Sequence, residues 1–421
     1  MDVSQAGEQD IPALHQALVD KQVEAENITS ARVEAAFRAV PRHLFLPGVP
    51  LEVVYRDQAI TTKYLNGTPI SSSSQPAIMA IMLEQLQLER GQRVLEIGAG
   101  TGYNAALMAH IVGTEGKVVT IDIDDDTVAN ARRNLAAAGY ERVQVLCADG
   151  GLGYPDAAPY DRIILTVASQ DIVPAWREQL KRDGRLLLPL SIRGSQVAIA
   201  FEQVGEYLQS TSVQCCGFMM LRGDFGEHGT HTQDGPERSL HLECNEGRSM
   251  DTDGVYRLLT GPAQDIPLNI SVTFQEMFSQ LNTWLALHEP DFCRLTIEDE
   301  LVERGILPNP FLPSSNKKLI STVGLFGEAA LCVLVCFPAQ NASENNSALS
   351  PSSQWFVRSF GSNDVLAYRL LAQVRAWNAA GRPALEKLSI RVYPQNTSYI
   401  PTTHEILIPK RWTNLVCTWQ R

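Results

Sequence analysis

The stretch VLEIGAGTG, Val94 to Gly102, places Gly98, Gly100 and Gly102 directly after an apolar run. Glycine lacks the β-carbon that would hold a ligand away from the main chain, so such a turn lets backbone groups close on a bound molecule. Alone the pattern is weak, because glycine turns after strands are common. Two acidic positions strengthen it. The next apolar run, KVVTIDID, ends at Asp122 and Ile123. That is about 20 residues further on, where a carboxylate can accept both hydroxyls of a ribose. The third run, VQVLCADG, brings Asp149 and Gly150 to the same rim if the three runs are parallel strands. Either aspartate alone reads as a solvated strand end. Together, at this spacing, they read as a nucleoside site.

The spacing is GxGxG rather than GxGxxG, and Glu96 stands two residues before Gly98. A negative charge there suits an amino group or a sulfonium and opposes a pyrophosphate. The reading is S-adenosylmethionine, with Glu96, Gly98, Gly100, Gly102, Asp122, Ile123, Asp149 and Gly150 as its contacts. A nicotinamide oxidoreductase is the alternative, and it lacks clear hydride-transfer residues.

These positions need a particular scaffold. Residues 11–40 carry a helical apolar period, which PRHLFLPGVP then breaks. From Gln75 onward short apolar strands alternate with helices, the pattern of a parallel sheet covered on both faces. QVAIAFEQVG and QSTSVQCCGFMML read as closing antiparallel strands, with Cys215 and Cys216 as small apolar packing residues. After Leu221 the chain turns polar and glycine-bearing, so a boundary is expected near residue 223. The expectation is an α/β Rossmann-like methyltransferase domain over 1–223 and a smaller α+β domain over 224–421. Residues 338–354 read as a low-complexity surface loop.

Composition excludes several classes. A length of 421 residues, 44% of them hydrophobic, suits two packed domains. The net charge of −12 comes without a basic stripe, which disfavours nucleic acid as a partner. No 18-residue apolar run appears, so no membrane span is expected, and MDVSQAGEQD lacks the marks of a secretory signal. Eight cysteines with no CxxC read as reduced thiols, and a cytoplasmic location follows as the expectation. His228 and His231 could be half of a metal site but have no evident further ligands, so no metal is expected.

Several segments, in order, resemble the protein-L-isoaspartate O-methyltransferase family over roughly residues 11–223. They are VPRHLFLP (Val40 to Pro47), YRDQAI (Tyr55 to Ile60), SQPAIM (Ser74 to Met79), the glycine loop, the Asp149-Gly150 pair, PYD, and LKRDGRLLLPL. Any one would be unspecific; the ordered set is not. The resemblance implies a variant Rossmann fold, S-adenosylmethionine as methyl donor and a peptide side-chain carboxylate as acceptor. It also places Ser74 at the family's active-site serine. Three departures stand out: a run of four serines, FMML in place of FVPL at Phe218 to Leu221, and an extension absent from the ordinary repair enzyme. The serine run and the extension are similar to branches that modify aspartate in ribosomally made peptides.

A serine run in isolation reads as a flexible loop. PISSSSQPAIM instead runs into a helix with Pro76 in its first turn, where free N–H groups attract a carboxylate. A carboxylate is already ionised at neutral pH, so methylating it needs no general base and no metal, only an oriented oxygen. Ser74 first and Ser73 second are the expected substrate-positioning residues, against the plainer role of helix cap for Ser74. The expected partner is a peptide or protein bearing aspartate or isoaspartate, with a slight preference for a dedicated peptide over general repair. A chain that binds the cofactor without turnover, as a scaffold, is the reading from a different class.

Overall fold

A computed structural model describes residues 11–65, 67–226, 240–244, 252–308, 319–337, 354–361 and 364–420. His228 and His231 lie outside the described residues, as does most of the low-complexity stretch. The helical N-terminal region is two helices, Ile11–Glu24 and Ala31–Ala39. The break at Glu26 has φ of 57°, and Ser30 caps the second helix by accepting from the Val33 N–H.

Strands β1 (Ile60–Leu65) and β2 (Thr68–Ser73) form an antiparallel hairpin in which Ser73 pairs with Ile60 and Ser72 with Thr61. Most of the serine run is therefore strand, not loop. Its turn holds Gly67 at φ of 82°, the left-handed geometry that an Asn-Gly dipeptide supplies.

Next come β3 (Arg93–Ile97), β4 (Lys117–Asp122), β5 (Gln144–Cys147), β6 (Tyr160–Leu165), β7 (Leu180–Ile192), β8 (Ser195–Val204) and β9 (Tyr207–Cys215). In the order β5-β4-β3-β6-β7 they run parallel, and β8 and β9 add antiparallel. The crossovers reverse direction at β3, so the crevice beyond the carboxyl ends of β3, β4 and β6 is where such a sheet binds ligands. This is the α/β architecture expected from the alternating pattern.

The rest of the chain divides differently from expectation. Strands β10 (Leu240–Cys244), β11 (Ala263–Pro267), β12 (Phe292–Glu298), β13 (Leu319–Phe326), β14 (Ala330–Phe337) and β15 (Gln354–Gly361) form a second, antiparallel sheet in the order β10-β12-β13-β14-β15-β11. The helix Val365–Ala379 packs on it through Leu370, Val374 and Trp377. The last strands, β16 (Leu388–Pro394), β17 (Ile406–Pro409) and β18 (Thr413–Trp419), return to the first sheet, where β16 pairs with β9. Residues 224–421 are thus not one contiguous unit. Two forces explain the return. Ile390, Leu415 and Cys417 are buried in one core cluster with Leu186, Ile199 and Phe201, and each such side chain contributes about 1.5–3 kcal/mol by leaving water. The buried Asp171 carboxylate also accepts from the Trp412 N–H and the Thr413 hydroxyl, tying β18 to the segment after β6.

Candidate active site

A cleft of about 560 Å³ opens at the switch point. Its walls bring together Ser71 to Gln75, Gly98 to Thr101, Asp122, Ile123, Gly150 and Phe218 to Arg222. The glycine loop is held tightly. Gly98 has φ of 104°, and a β-carbon there would stand 2.6 Å from Thr166 Oγ1. That hydroxyl donates to the Gly98 carbonyl at 2.6 Å. Gly100, at φ of 50°, lies opposite the hairpin, with the Ser72 carbonyl 3.5 Å from where its β-carbon would be. Asp122 Oδ2 accepts from the Gly100 N–H at 3.0 Å, which fixes the carboxylate at the end of β4, and burial raises its pKa.

The predicted residues divide. Ser73, Ser74, Gly98, Gly100, Asp122, Ile123 and Gly150 line the cleft. Glu96, Gly102 and Asp149 do not, and each has another task. Glu96 is fully buried and accepts from the Thr120 hydroxyl at 2.6 Å and from Asn104 Nδ2 at 2.7 Å. Through that bond it holds Asn104, which does line the cleft, instead of facing a ligand itself, and burial pushes its pKa up to about 7. Gly102 begins the helix Tyr103–Val112 at φ of 86°, and a β-carbon would stand 3.1 Å from Leu135 Cγ. Its need is close helix packing. Asp149 accepts from the N–H groups of Gly151 and Asp224 at 2.8 and 2.7 Å, tying down the turn after Leu221.

The serines are also corrected in part. Gln75, not Ser74, is the N-cap of the helix Pro76–Leu86, and its first turn is not free: Asp57 Oδ1 accepts from the Ala77 N–H at 2.9 Å. The Asp57 carboxylate already occupies the place suggested for a substrate carboxylate. Ser73 is buried, and its hydroxyl accepts from Arg42 Nη2 at 3.4 Å. Ser74 lines the cleft, and its hydroxyl makes no hydrogen bond to another described residue. Cys215 and Cys216 line the cleft as well, and Cys216 also packs against the core, as expected of a small apolar residue.

Several organising residues escaped the sequence reading. Arg42 is completely buried and donates to the carbonyls of Val54, Arg56, Gln58, Ser73 and Ser74. It binds the strand-to-helix turn that carries Ser74. Gln196 holds Phe218 by both amide atoms, accepting from its N–H at 2.7 Å and donating to its carbonyl at 3.1 Å. Asp124 pairs with Lys63 of β1 at 2.9 Å and with Arg222 at 2.6 Å, so one carboxylate fastens both covers of the cleft. Arg42 and Asp57 did carry a signal: both sit in segments that support the family resemblance.

The cleft fits S-adenosylmethionine. Positions where a β-carbon is excluded cradle the site, a fixed carboxylate at Asp122 suits ribose hydroxyls, and the partly exposed Ile123 beside it offers an apolar ledge for an adenine. These groups and Gly150 would hold the nucleoside.

Comparisons with known proteins bear on the family and the fold. Residues 13–224 match the family described as Protein-L-isoaspartate(D-aspartate) O-methyltransferase. The chain is 40% identical over 212 residues to the protein-L-isoaspartate O-methyltransferase of Methanoregula boonei, covering 50% of this chain and 93% of that one. It is 38% identical over 200 residues to that of Thermotoga maritima, covering 47% of this chain and 63% of that one. A solved structure named protein-L-isoaspartate O-methyltransferase aligns with a TM-score of 0.51 and 24% identity, over 92% of this chain and 99% of its own. The likeness in fold thus runs through the extension, which corrects the expectation that the extension sets this chain apart. The chain belongs to the Protein-L-isoaspartate(D-aspartate) O-methyltransferase family.

Proposed function

We propose that the chain methylates an aspartyl or isoaspartyl carboxylate in a peptide or protein. The observation that carries this reading is the single cleft shared by the glycine loop, Asp122 and Ser74. S-adenosylmethionine supplies an electrophilic methyl group when bound. The chain's own residues then need only hold a carboxylate that is ionised at neutral pH, with one oxygen aimed and the other bonded. Ser74 donates to that second oxygen, while Arg42 fixes the Ser74 carbonyl at 2.9 Å and so the direction of its side chain. Asp57, by capping the helix, keeps the turn in place without competing for the acceptor. Phe218 to Leu221 supply an apolar wall that excludes water.

The product ester carries a methoxy leaving group, where the ionised carboxylate would have to expel oxide. The neighbouring backbone amide can displace methanol from it and close a succinimide, whose hydrolysis gives aspartate or isoaspartate. In repair that returns isoaspartate to aspartate; on a dedicated peptide it installs the ring or the isoaspartyl link at a chosen site.

The test is S-adenosylhomocysteine release with an isoaspartyl peptide beside its aspartyl counterpart. Turnover on either peptide, with the methyl group recovered as an ester, is the expected result. No turnover on any aspartyl or isoaspartyl peptide, with the cofactor still bound, would favour the scaffold reading.

A further inference from the structure

Two side chains of the second sheet line the cleft: Glu243 of β10 and Arg294 of β12. They are direct partners across the antiparallel ladder, which puts them side by side on one face. Yet they are not hydrogen-bonded, since Arg294 Nη1 stands 3.7 Å from Glu243 Oε2. Arg294 Nε is buried with no hydrogen-bond partner among the described residues. The charge of Arg294 also reaches the thiols of Cys215 and Cys216, where β9 runs out along the cleft.

The other cation on the cleft wall is Arg222, and it is spent. It donates twice to Asp124, at 3.3 and 2.6 Å. Arg294 is therefore the cleft cation, among the described residues, without a hydrogen-bonded carboxylate. A guanidinium presents its donors as a planar fork that matches a carboxylate, and a loose pairing to one neighbour leaves that fork available. The chain as a whole is anionic, at −12, and its general field repels acidic peptides. A preference for acidic sequence needs a local cation such as this one.

We propose that Arg294 is a specificity-determining residue that takes a second carboxylate of the substrate peptide, on an acidic side chain flanking the methyl acceptor. Glu243 holds the guanidinium in place until that carboxylate displaces it. The acceptor carboxylate itself is the poorer candidate, because a guanidinium clamped on both its oxygens would withdraw the charge that makes it nucleophilic. The proposal rests on reading the cleft as a carboxyl methyltransferase site, and it gives the second sheet a task there: to sense charge beside the acceptor.

The test uses the full chain and labelled isoaspartyl peptides that differ only in Glu or Gln beside the isoaspartate, at each flank in turn. Binding is read by fluorescence anisotropy with S-adenosylhomocysteine present, and methyl transfer is read separately. The Glu peptide is expected to bind about tenfold tighter at one flank. Arg294→Gln should erase that preference, and Glu243→Gln should enlarge it, a gain that misfolding cannot produce. Equal binding of the two peptides by the unsubstituted chain overturns the proposal, as does an equal loss for both in Arg294→Gln. Charge-selective binding without methyl transfer supports the Arg294 assignment and overturns the methyltransferase reading; methyl transfer without charge preference does the reverse.

Discussion

The parallel half of the first sheet and the antiparallel second sheet both reach the cleft, but they offer it different chemistry. At the ends of β3 and β4 the wall is largely main chain: Gly98 and Gly100, held by the Thr166 hydroxyl and the Asp122 carboxylate. The second sheet offers two charged side chains, Glu243 and Arg294. A main-chain wall is set by allowed dihedrals and close approach, so it suits a ligand that never changes. A side-chain wall can vary without disturbing the strand beneath it, so it suits a ligand that does. The hairpin of β1 and β2 lies between the two in character, a strand pair whose exit into the next helix is held by a buried arginine.

The largest expected effect breaks this middle element. Arg42→Met would take a donor from five backbone carbonyls, at about 1–3 kcal/mol for each left buried without another; the Arg56 carbonyl keeps the Gln58 N–H. Melting temperature should fall sharply and turnover with it, and Arg42→Lys should restore part of each. Full turnover in a destabilised Arg42→Met would show that Arg42 serves folding alone.

Ser74→Ala comes next. It should lower turnover by about 10- to 100-fold, the scale of a misaligned acceptor whose second oxygen has lost its donor, with the melting temperature preserved. Unchanged turnover would move acceptor positioning away from the hairpin.

A smaller effect concerns pH. Burial raises the Glu96 pKa in the folded chain to about 7, above its ordinary 4.5, so the native state keeps this proton where the unfolded chain has lost it. The stability from this group is full below about pH 4.5 and is lost as pH rises through 7, a difference on the order of 3 kcal/mol. Thermal melts of Glu96→Gln should show a flatter fall between about pH 4.5 and 7, the window set by that shift. An unchanged slope would mean that Thr120 and Asn104 already hold the carboxylate ionised. Smallest is Lys63→Ala, which frees β1 from Asp124 and Asp126. Exposed pairs contribute only about 0.2–1 kcal/mol, so cofactor affinity should weaken by less than about tenfold.

What the sequence disclosed follows the same division. The parallel sheet was legible because both faces are covered, which writes continuous apolar runs such as RVLEI and YDRIIL between helices. The glycine loop and Asp122 were legible because a strained turn needs particular residues at a fixed spacing. Glu96, Gly102 and Asp149 shared that spacing, but spacing does not say which way a side chain points. Glu96 turns into the core toward Thr120, a partner on the adjacent strand that only strand pairing brings near. The hairpin left little trace in the sequence beyond an Asn-Gly dipeptide, because ITTKYL and TPISSS lack the apolar alternation that marks a half-buried strand. The return of β16 to β9 and the meeting of Arg294 with the cleft had no local signal. They depend on contacts between residues far apart in the chain.

The central claim is that the two ends of one cleft divide the labour, with the nucleoside held at Asp122 and the acceptor at Ser74. The most direct test is calorimetric titration of S-adenosylhomocysteine into the unsubstituted chain, Asp122→Ala and Ser74→Ala. The account predicts that Asp122→Ala binds on the order of 100-fold more weakly while Ser74→Ala binds as the unsubstituted chain does. Equal weakening in both variants, or undiminished affinity in Asp122→Ala, would contradict it.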